Sequence, residues 1–349
     1  MVQFLPVVLQ VQARWRRIVR IPRRLKISLF LAAMLGWLPA PAGAVGPEPA
    51  PLAQPVQLTV GYQKVGHLAP VILIADDLKK LGVDLKLVEF VRYADARTAL
   101  LAGSLDAASV GPADLAIALA QGSTNVIGLM GVGSSPKYVI GRNGVKFDNW
   151  ADLKGKKIAI APGSAVWFQF AATLVENGVP YTSFEAVNIQ GGGANFDQAL
   201  KKGEVDGLVT WEPFESIPVM DGYGYFAKGL EYSSSKAVGA ELGMFMTVKQ
   251  TVDNKRGALE RFVWAYLKKQ EELAKSPAAF AAAYAQLSGM TPEIAAKASQ
   301  IIKLGEVISP DQIKRQAKGF ADLGVIQKDV SDQIDAHWDG SFVEKALGK

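Results

Sequence analysis

Trp150 to Gly178 reads WADLKGKKIAIAPGSAVWFQFAATLVENG, and the order of residue types suits the capture of an anion. Lys157 to Ala161 is a short apolar β-run and Pro162-Gly163 a turn. Ser164 stands where a cap is needed for a helix that closes at Asn177-Gly178. A strand that feeds a tight turn and then a helix leaves several backbone N–H groups unpaired at the positive end of the helix dipole. Ser164 and Ala165 would offer theirs to a negative group. An ordinary βα unit with a good cap carries the same letters, so the reading needs support from other loops.

Other loops supply it. Gln63, Lys64, His67 and Arg92 bring hydrogen-bond donors and positive charge. Tyr93, Trp167, Phe168 and Trp211 bring flat apolar surface, and Ser134, Ser135 and Ser164 bring hydroxyls. Gly111 and Pro112 open a further loop of the same kind. Glu212 has two roles open to it: orienting a cation or amine on a ligand, or capping the helix that starts at Pro213. A mostly apolar pocket with a few aimed polar groups is what small-ligand recognition needs. Catalytic signatures are scarce. The chain has two histidines, His67 and His337, and no cysteine, which leaves no His-rich or Cys-rich zinc cluster. It has no G-x-S-x-G elbow and no Walker motif. No catalytic residue, metal or cofactor is expected.

The elements that must position these residues alternate. Leu58 to Tyr62 reads as a strand, Leu68 to Leu81 as a helix, Val83 to Phe90 as a strand, and Asp95 to Ala102 as a helix. Ala107 to Gly111 is again a strand, and Pro112 to Gln121 a helix. Such alternation gives a mostly parallel sheet with helices on both faces. The pattern recurs 100 positions later: Ala99-Leu100, Gly103 and Asp106 are echoed by Ala199-Leu200, Gly203 and Asp206. Two similar α/β lobes follow. Ligands in open α/β sheets sit outside the carboxyl ends of strands. The loops at Gln63 to His67, Val91 to Ala94 and Gly111 to Asp114 should therefore face those at Gly163 to Trp167, Gly191 to Asn195 and Trp211 to Phe214 across a cleft. From Lys255 onward the chain is helical, with Thr291-Pro292 and Ser309-Pro310 as helix starts and a helix expected over Thr291 to Leu304. These helices are expected to pack on the first lobe.

At 349 residues, with a mean hydropathy of +0.14, the chain is long enough for two lobes with proper cores. Its formal charge of +5 is misleading as a guide to partners. Residues 1 to 44 hold seven basic side chains and no acidic one, so the remainder stands at about −2. No surplus of cations is left to hold nucleic acid. Those first residues read as an export signal: a basic segment, the apolar core ISLFLAAMLGWL from Ile27 to Leu38, and a small-residue cleavage site at Ala42-Gly43-Ala44. The mature chain is expected to begin near Val45. Without cysteine it has neither disulfides nor a lipid-modified N-terminal cysteine, and is expected to be a soluble protein. Val45 to Pro55, rich in Pro and Ala, reads as a flexible linker.

LTVGYQK, ALLAGSLDAASVGPAD, ADLKGKKIAIAPGS and ALKKGEVDGLVTWEPF together resemble the periplasmic solute-binding proteins of the nitrate, sulfonate and taurine ABC importers. The resemblance covers Val56 to Lys349. It implies a two-lobed, type II Venus-flytrap α/β fold. Residues 56–142 would form the first part of lobe 1, 143–238 lobe 2, and 239–349 the return strand and C-terminal helices of lobe 1. The chain would cross between lobes near Val139 to Gly144 and Lys236 to Gly243. By matching position, Gln63, Lys64 and Gly111 would line one side of the cleft and Ser164, Ala165 and Trp211 the other.

The resemblance also implies a periplasmic, monomeric, non-enzymatic component that delivers its ligand to a permease and its ATPase. The ligand would be a small organic anion, a sulfonate such as an alkanesulfonate or taurine. Its acid end would meet Arg92 or Lys64 and its body would lie against Trp167, Tyr93 or Trp211. Val91-Arg92-Tyr93 stands where relatives often have small residues, and Ala165-Val166-Trp167-Phe168 is bulky, which favours something larger than nitrate. An aromatic or aliphatic carboxylate, or a thiamine-precursor pyrimidine, is the alternative. The pyrimidine synthase of thiamine biosynthesis resembles the same family but carries a cysteine-rich motif absent here. A sensor module would share every feature of a binding protein. Empty lobes of this kind are expected to have little interface of their own and to close on the ligand by a hinge.

Overall fold

The computed structural model describes residues 45–349 apart from Gly163, Glu306, Val307, Leu323 and Val325. The leader expected at residues 1–44 lies outside the described residues. In chain order the strands are β1 (Val56–Tyr62), β2 (Val83–Glu89), β3 (Ala107–Val110), β4 (Val126–Gly131) and β5 (Tyr138–Arg142). They continue with β6 (Lys157–Ile160), β7 (Glu185–Asn188), β8 (Gly207–Leu208), β9 (Gly224–Glu231) and β10 (Met244–Val248). The helices begin with α1 (Ala75–Lys80), α2 (Tyr93–Leu101), α3 (Asp114–Ala120), α4 (Ala165–Glu176), α5 (Gly193–Lys201) and α6 (Ser216–Met220). The later ones are α7 (Lys249–Ala274), α8 (Pro277–Ser288), α9 (Pro292–Ser299), α10 (Pro310–Asp322) and α11 (Ser341–Ala346). None of the described helices is long and apolar enough to cross a membrane.

The strands form two five-stranded sheets with the same plan. The first has the order β2-β1-β3-β10-β4 and the second β7-β6-β8-β5-β9. β1 runs parallel to β2 and β3, as β6 does to β7 and β8. β10 is antiparallel to β3 and β4, and β5 to β8 and β9. Each sheet is therefore mixed, because each takes in one antiparallel strand just after the chain has left the other sheet. Successive side chains on a strand point to opposite faces, and the cores follow that alternation. Ala107 of β3 joins an apolar cluster with Phe262 and Tyr266 of α7, while Ala108 joins one with Leu100 of α2 and Leu115 of α3. Likewise Ile158 and Ile160 of β6 pack with Phe170 of α4, and Ala159 with Phe196 of α5. Both sheets thus carry helices on both faces.

The repeated Gly-x-x-Asp turns do the same job twice. Gly103 and Gly203 both have positive φ, at 77° and 73°, which a residue without Cβ adopts freely. The next residues, Ser104 and Glu204, donate back to the carbonyls of Ala99 and Ala199, ending α2 and α5 in the same way. The Asp106 carboxylate then accepts the amide of Thr59 at 2.8 Å, and that of Asp206 the amide of Lys157 at 3.0 Å. Each is completed by a cation: Lys255 Nζ at 2.8 Å from Asp106 and Arg142 at 2.9 Å from Asp206. These aspartates tie β1 to β3 in the first sheet and β6 to β8 in the second. Asp206→Ala is expected to cost about 1 kcal/mol, since it removes the acceptor of the Lys157 amide and one of the two acceptors of the Arg142 guanidinium. A fall in the urea midpoint checks this, and an unchanged midpoint would deny the turn its role.

Between the sheets the chain crosses twice, and the two crossings run beside each other. Val132 donates to Gly243 O (3.1 Å), Leu242 to Gly133 O (2.9 Å), Ser135 to Ala240 O (3.1 Å) and Tyr232 to Lys137 O (2.8 Å). The first crossing was expected near Val139 to Gly144. Tyr138–Arg142 is instead β5 of the second sheet, so the crossing lies upstream, after Gly131. A third segment joins this ribbon from the C-terminal region: Ser134 and Lys303 exchange two backbone bonds of 3.0 and 2.8 Å. That exchange explains why α9 stops at Ser299 although a helix was expected up to Leu304. The strip Val45–Pro55 is held down, contrary to its reading as a flexible linker. Gly46 donates to Ala346 O, Leu52 to Leu81 O, and Trp264 and Arg261 of α7 donate to the carbonyls of Gly46 and Ala50.

Candidate ligand-binding site

Between the sheets, beside the crossing ribbon, lies a cavity of about 390 Å3, within the range of small-molecule sites. The loops expected to face each other do line it. From the first sheet come Gln63, His67, Arg92, Tyr93 and Gly111, from the crossing Ser135, and from the second sheet Ser164, Ala165, Trp211 and Glu212. Phe168 lines it too, as expected, and the structure adds Arg97, Asp114, Lys137, Gln169 and Glu241.

On the first-sheet side Gln63, at the end of β1, is 3% exposed and donates from Nε2 to Ser109 O at 3.3 Å. His67 Nε2 and the Tyr93 hydroxyl are 2.6 Å apart. Burial, then the nearby Lys137 charge, push the imidazole down to about 3, so it is neutral; burial and the Asp114 charge push the Tyr93 phenol up, so it keeps its proton. The Gly111 amide donates to Asp114 Oδ2 at 2.7 Å, and Arg97 donates to the other oxygen of that carboxylate. Gly111 also lies close to the other half, for a Cβ there would stand 3.5 Å from the Cβ of Ala165.

On the crossing, Lys137 is 1% exposed and fully engaged, with Nζ 2.9 Å from Glu215 Oε2 and 2.7 Å from Ser135 Oγ. Glu212 is 4% exposed; its carboxyl accepts the Ser216 hydroxyl at 2.7 Å and the Ser216 amide at 3.1 Å. It therefore holds the first amide of α6, which begins at Ser216 rather than at Pro213, and lines the cavity at once. Burial, then the Glu215 charge, push its pKa up to about 8.

Three expected residues stand elsewhere. Lys64 points out and pairs with Glu89 at 3.0 Å, both half exposed. Trp167 turns away and donates from Nε1 to the Tyr181 hydroxyl at 2.9 Å. Pro112 lies in a small recess with Val238 and Phe320. The α4 terminus also differs in detail from the expected anion seat. Ser164 Oγ accepts the Trp167 amide at 3.3 Å, and the Ser164 amide is itself taken by Ala161 O at 3.0 Å. Among the described residues, that leaves the Ala165 and Val166 amides without an acceptor.

The two halves already touch. Phe168 of α4 packs against Phe320 of α10 with ring centroids 4.3 Å apart, and α6 rests on α9. Arg92 reaches Gly191 O at 3.5 Å across the cavity mouth. The C-terminal helices pack on the first half as expected, and α9 and α10 also reach the second, so the two halves have more interface of their own than expected.

The model of the NMT1-like family matches residues 52–289 of this chain. An Escherichia coli protein whose name assigns it to aliphatic sulfonates binding is 26% identical over 253 residues, covering 71% of this chain and 75% of that one. A Bacillus subtilis protein of the same name is 25% identical over 301 residues, covering 83% and 88%. Among solved structures, the alkanesulfonate-binding protein SsuA from Xanthomonas axonopodis pv. citri bound to MOPS superposes with a TM-score of 0.70. It shares 21% identity and covers 83% of this chain and 100% of its own, a likeness of fold.

Proposed function

This chain belongs to the NMT1-like family, and from that premise we propose that it is the substrate-binding component of an ABC importer. On this reading it works in the periplasm as a monomer, takes a small organic acid into the cavity between its sheets and presents it to a membrane permease driven by an ATPase. The names of its relatives support a sulfonate as the acid, and they are names of binding proteins rather than of enzymes. The observation that carries the reading is the cavity itself: about 390 Å3, walled by both halves, with Arg92 at its mouth and the amides of Ala165 and Val166 at the start of a twelve-residue helix. A sulfonate accepts from such amides and from a guanidinium at once. Its body would lie along Tyr93, Phe168 and Trp211, and 390 Å3 leaves room for more than a two-carbon chain.

The reading is tested by a thermal-shift screen of sulfonates, carboxylates, nitrate and pyrimidines, followed by titration calorimetry. An organosulfonate is expected to raise the melting temperature, and Arg92→Ala to weaken its binding at least tenfold, about 1.4 kcal/mol. Stabilisation by carboxylates or nitrate with none by any sulfonate would sink the sulfonate assignment, and binding unchanged in Arg92→Ala would remove that cation from the site.

A further inference from the structure

We propose that the ligand of this cleft also carries a hydrogen-bond-donating nitrogen, an ammonium or an amino group on a ring, received by Glu212 and Gln63. The inference rests on the cleft being a ligand site and describes the opposite end of the ligand from its acid.

Two acceptor groups among the residues that line the cavity invite such a nitrogen, one because it lacks a donor and the other because its donors are neutral. Gln63 Nε2 donates to Ser109 O, a carbonyl that can only accept, which fixes the orientation of the amide. Its Oε1 is buried and has no partner. A buried acceptor left without a donor is costly, and a ligand N–H would relieve it. Glu212 receives its two bonds from the hydroxyl and amide of Ser216, both neutral, and among the described residues no cation forms an ion pair with it.

The nearby cations are committed elsewhere. Lys137 is held by Glu215 and Ser135, and Glu215 still has one buried oxygen, Oε1, without a partner. Two buried carboxyl groups thus share one lysine. Arg97 is held by Asp114. Arg92 is exposed at the mouth, where it touches a carbonyl and, among the described residues, no carboxylate. The cleft is therefore polarised, with a cation outside and acceptors within, and a buried carboxyl favours a cationic or N–H-bearing group over a purely anionic one. Burial and then Glu215 raise the pKa of Glu212, and Lys137 opposes that rise only in part.

The test is titration calorimetry with matched probes: taurine against ethanesulfonate, para-aminomethylbenzoate against para-methylbenzoate, and benzylamine and an aminomethylpyrimidine alone. Each is run on the wild type, Glu212→Gln and Gln63→Leu. The aminated member of a pair is expected to bind at least tenfold tighter to the wild type. Glu212→Gln should cut the ratio of the two affinities from at least tenfold to below about threefold. Equal or tighter binding of the unaminated members to the wild type overturns the proposal, whatever the variants do; so does a preference left intact by both substitutions. If amines bind in a Glu212-dependent way and no acid binds, the inference holds and the organic-acid reading falls. If acids bind with no preference for nitrogen, the reverse is true. If no probe binds, both fall.

Discussion

Replacing Lys137 by methionine is expected to destabilise the ligand-free protein by about 3–5 kcal/mol near pH 8, the range found when one partner of a buried ion pair is removed. Lys137 and Glu215 are 1% and 0% exposed, and their charged atoms lie 2.9 Å apart. Methionine fills similar space but leaves the Glu215 carboxylate buried with no cation. Burial already raises the pKa of Glu215, and the lysine opposes that rise. In the variant the carboxyl will take up a proton more readily, so the cost should shrink as the pH falls towards 5. The double variant Lys137→Met with Glu215→Leu should recover most of the loss, because both the charge and its need for a partner are then gone. Urea unfolding at pH 5 and pH 8 reads both effects. A cost below about 1 kcal/mol at pH 8, the scale of an exposed pair, would contradict the buried pairing.

A second large effect is the acid-shifted stability profile of the ligand-free protein. Burial, then Glu215, raise Glu212 from 4.5 to about 8, and burial, then Asp221 and Glu212, raise Asp197 from 3.8 to about 8. Between their ordinary values and pH 8 the folded chain keeps protons that the unfolded chain has lost. Stability therefore falls with rising pH, by about 1.4 kcal/mol per pH unit for each group. His67 works the other way. Burial, then Lys137, lower it from 6.5 to about 3, so below pH 6.5 the unfolded chain takes up a proton that the folded chain refuses, and stability rises with pH across that window. From pH 4.5 to 6.5 the histidine offsets one of the two carboxyls; from 6.5 to 8 both act unopposed. The steepest loss is thus expected between about pH 6.5 and 8, with maximum stability near pH 4–5. Melting temperatures in steps from pH 4 to 9 test this, and the slope should flatten in Glu212→Gln with Asp197→Asn. A profile that rises from pH 6.5 to 8 would mean that neither carboxyl holds its proton.

Much of the architecture was legible because it repeats. The Gly-x-x-Asp turns stand 100 residues apart and make the same bonds, and the caps at Ser164 and Thr291 each accept the amide three residues on. Site residues at strand ends and helix starts could be read for the same reason. The misses have local causes. Side chains alternate at a strand end, so with Gln63 turned inward its neighbour Lys64 must turn out, to Glu89. On a helix, i, i+3 and i+4 share a face, so with Ala165 at the cavity the next residues on that side are Phe168 and Gln169, and Trp167 is swung away. Those two periodicities were available and would have corrected both. Lys137 had no such signal. It lies in the crossing, and its partner Glu215 is 78 residues away, so only the tertiary fold brings the charges together. The same holds for the brace formed by α10, since nothing near Phe320 in sequence points to Phe168.

The placement of β10 fixes an order of assembly. All five strands of the second sheet come from one unbroken stretch, Tyr138 to Glu231. That half can condense as soon as the stretch is available. The first sheet cannot. Its strand between β3 and β4 is β10, so residues 107–131 must wait for Met244–Val248, across the whole of the other half. Closing so long a loop is slow, because its entropy is lost before any contact repays it. Until it closes, β3 and β4 present open edges to any other chain nearby. Whichever way the chain is delivered, the half that comes first in sequence is the half that cannot finish on its own.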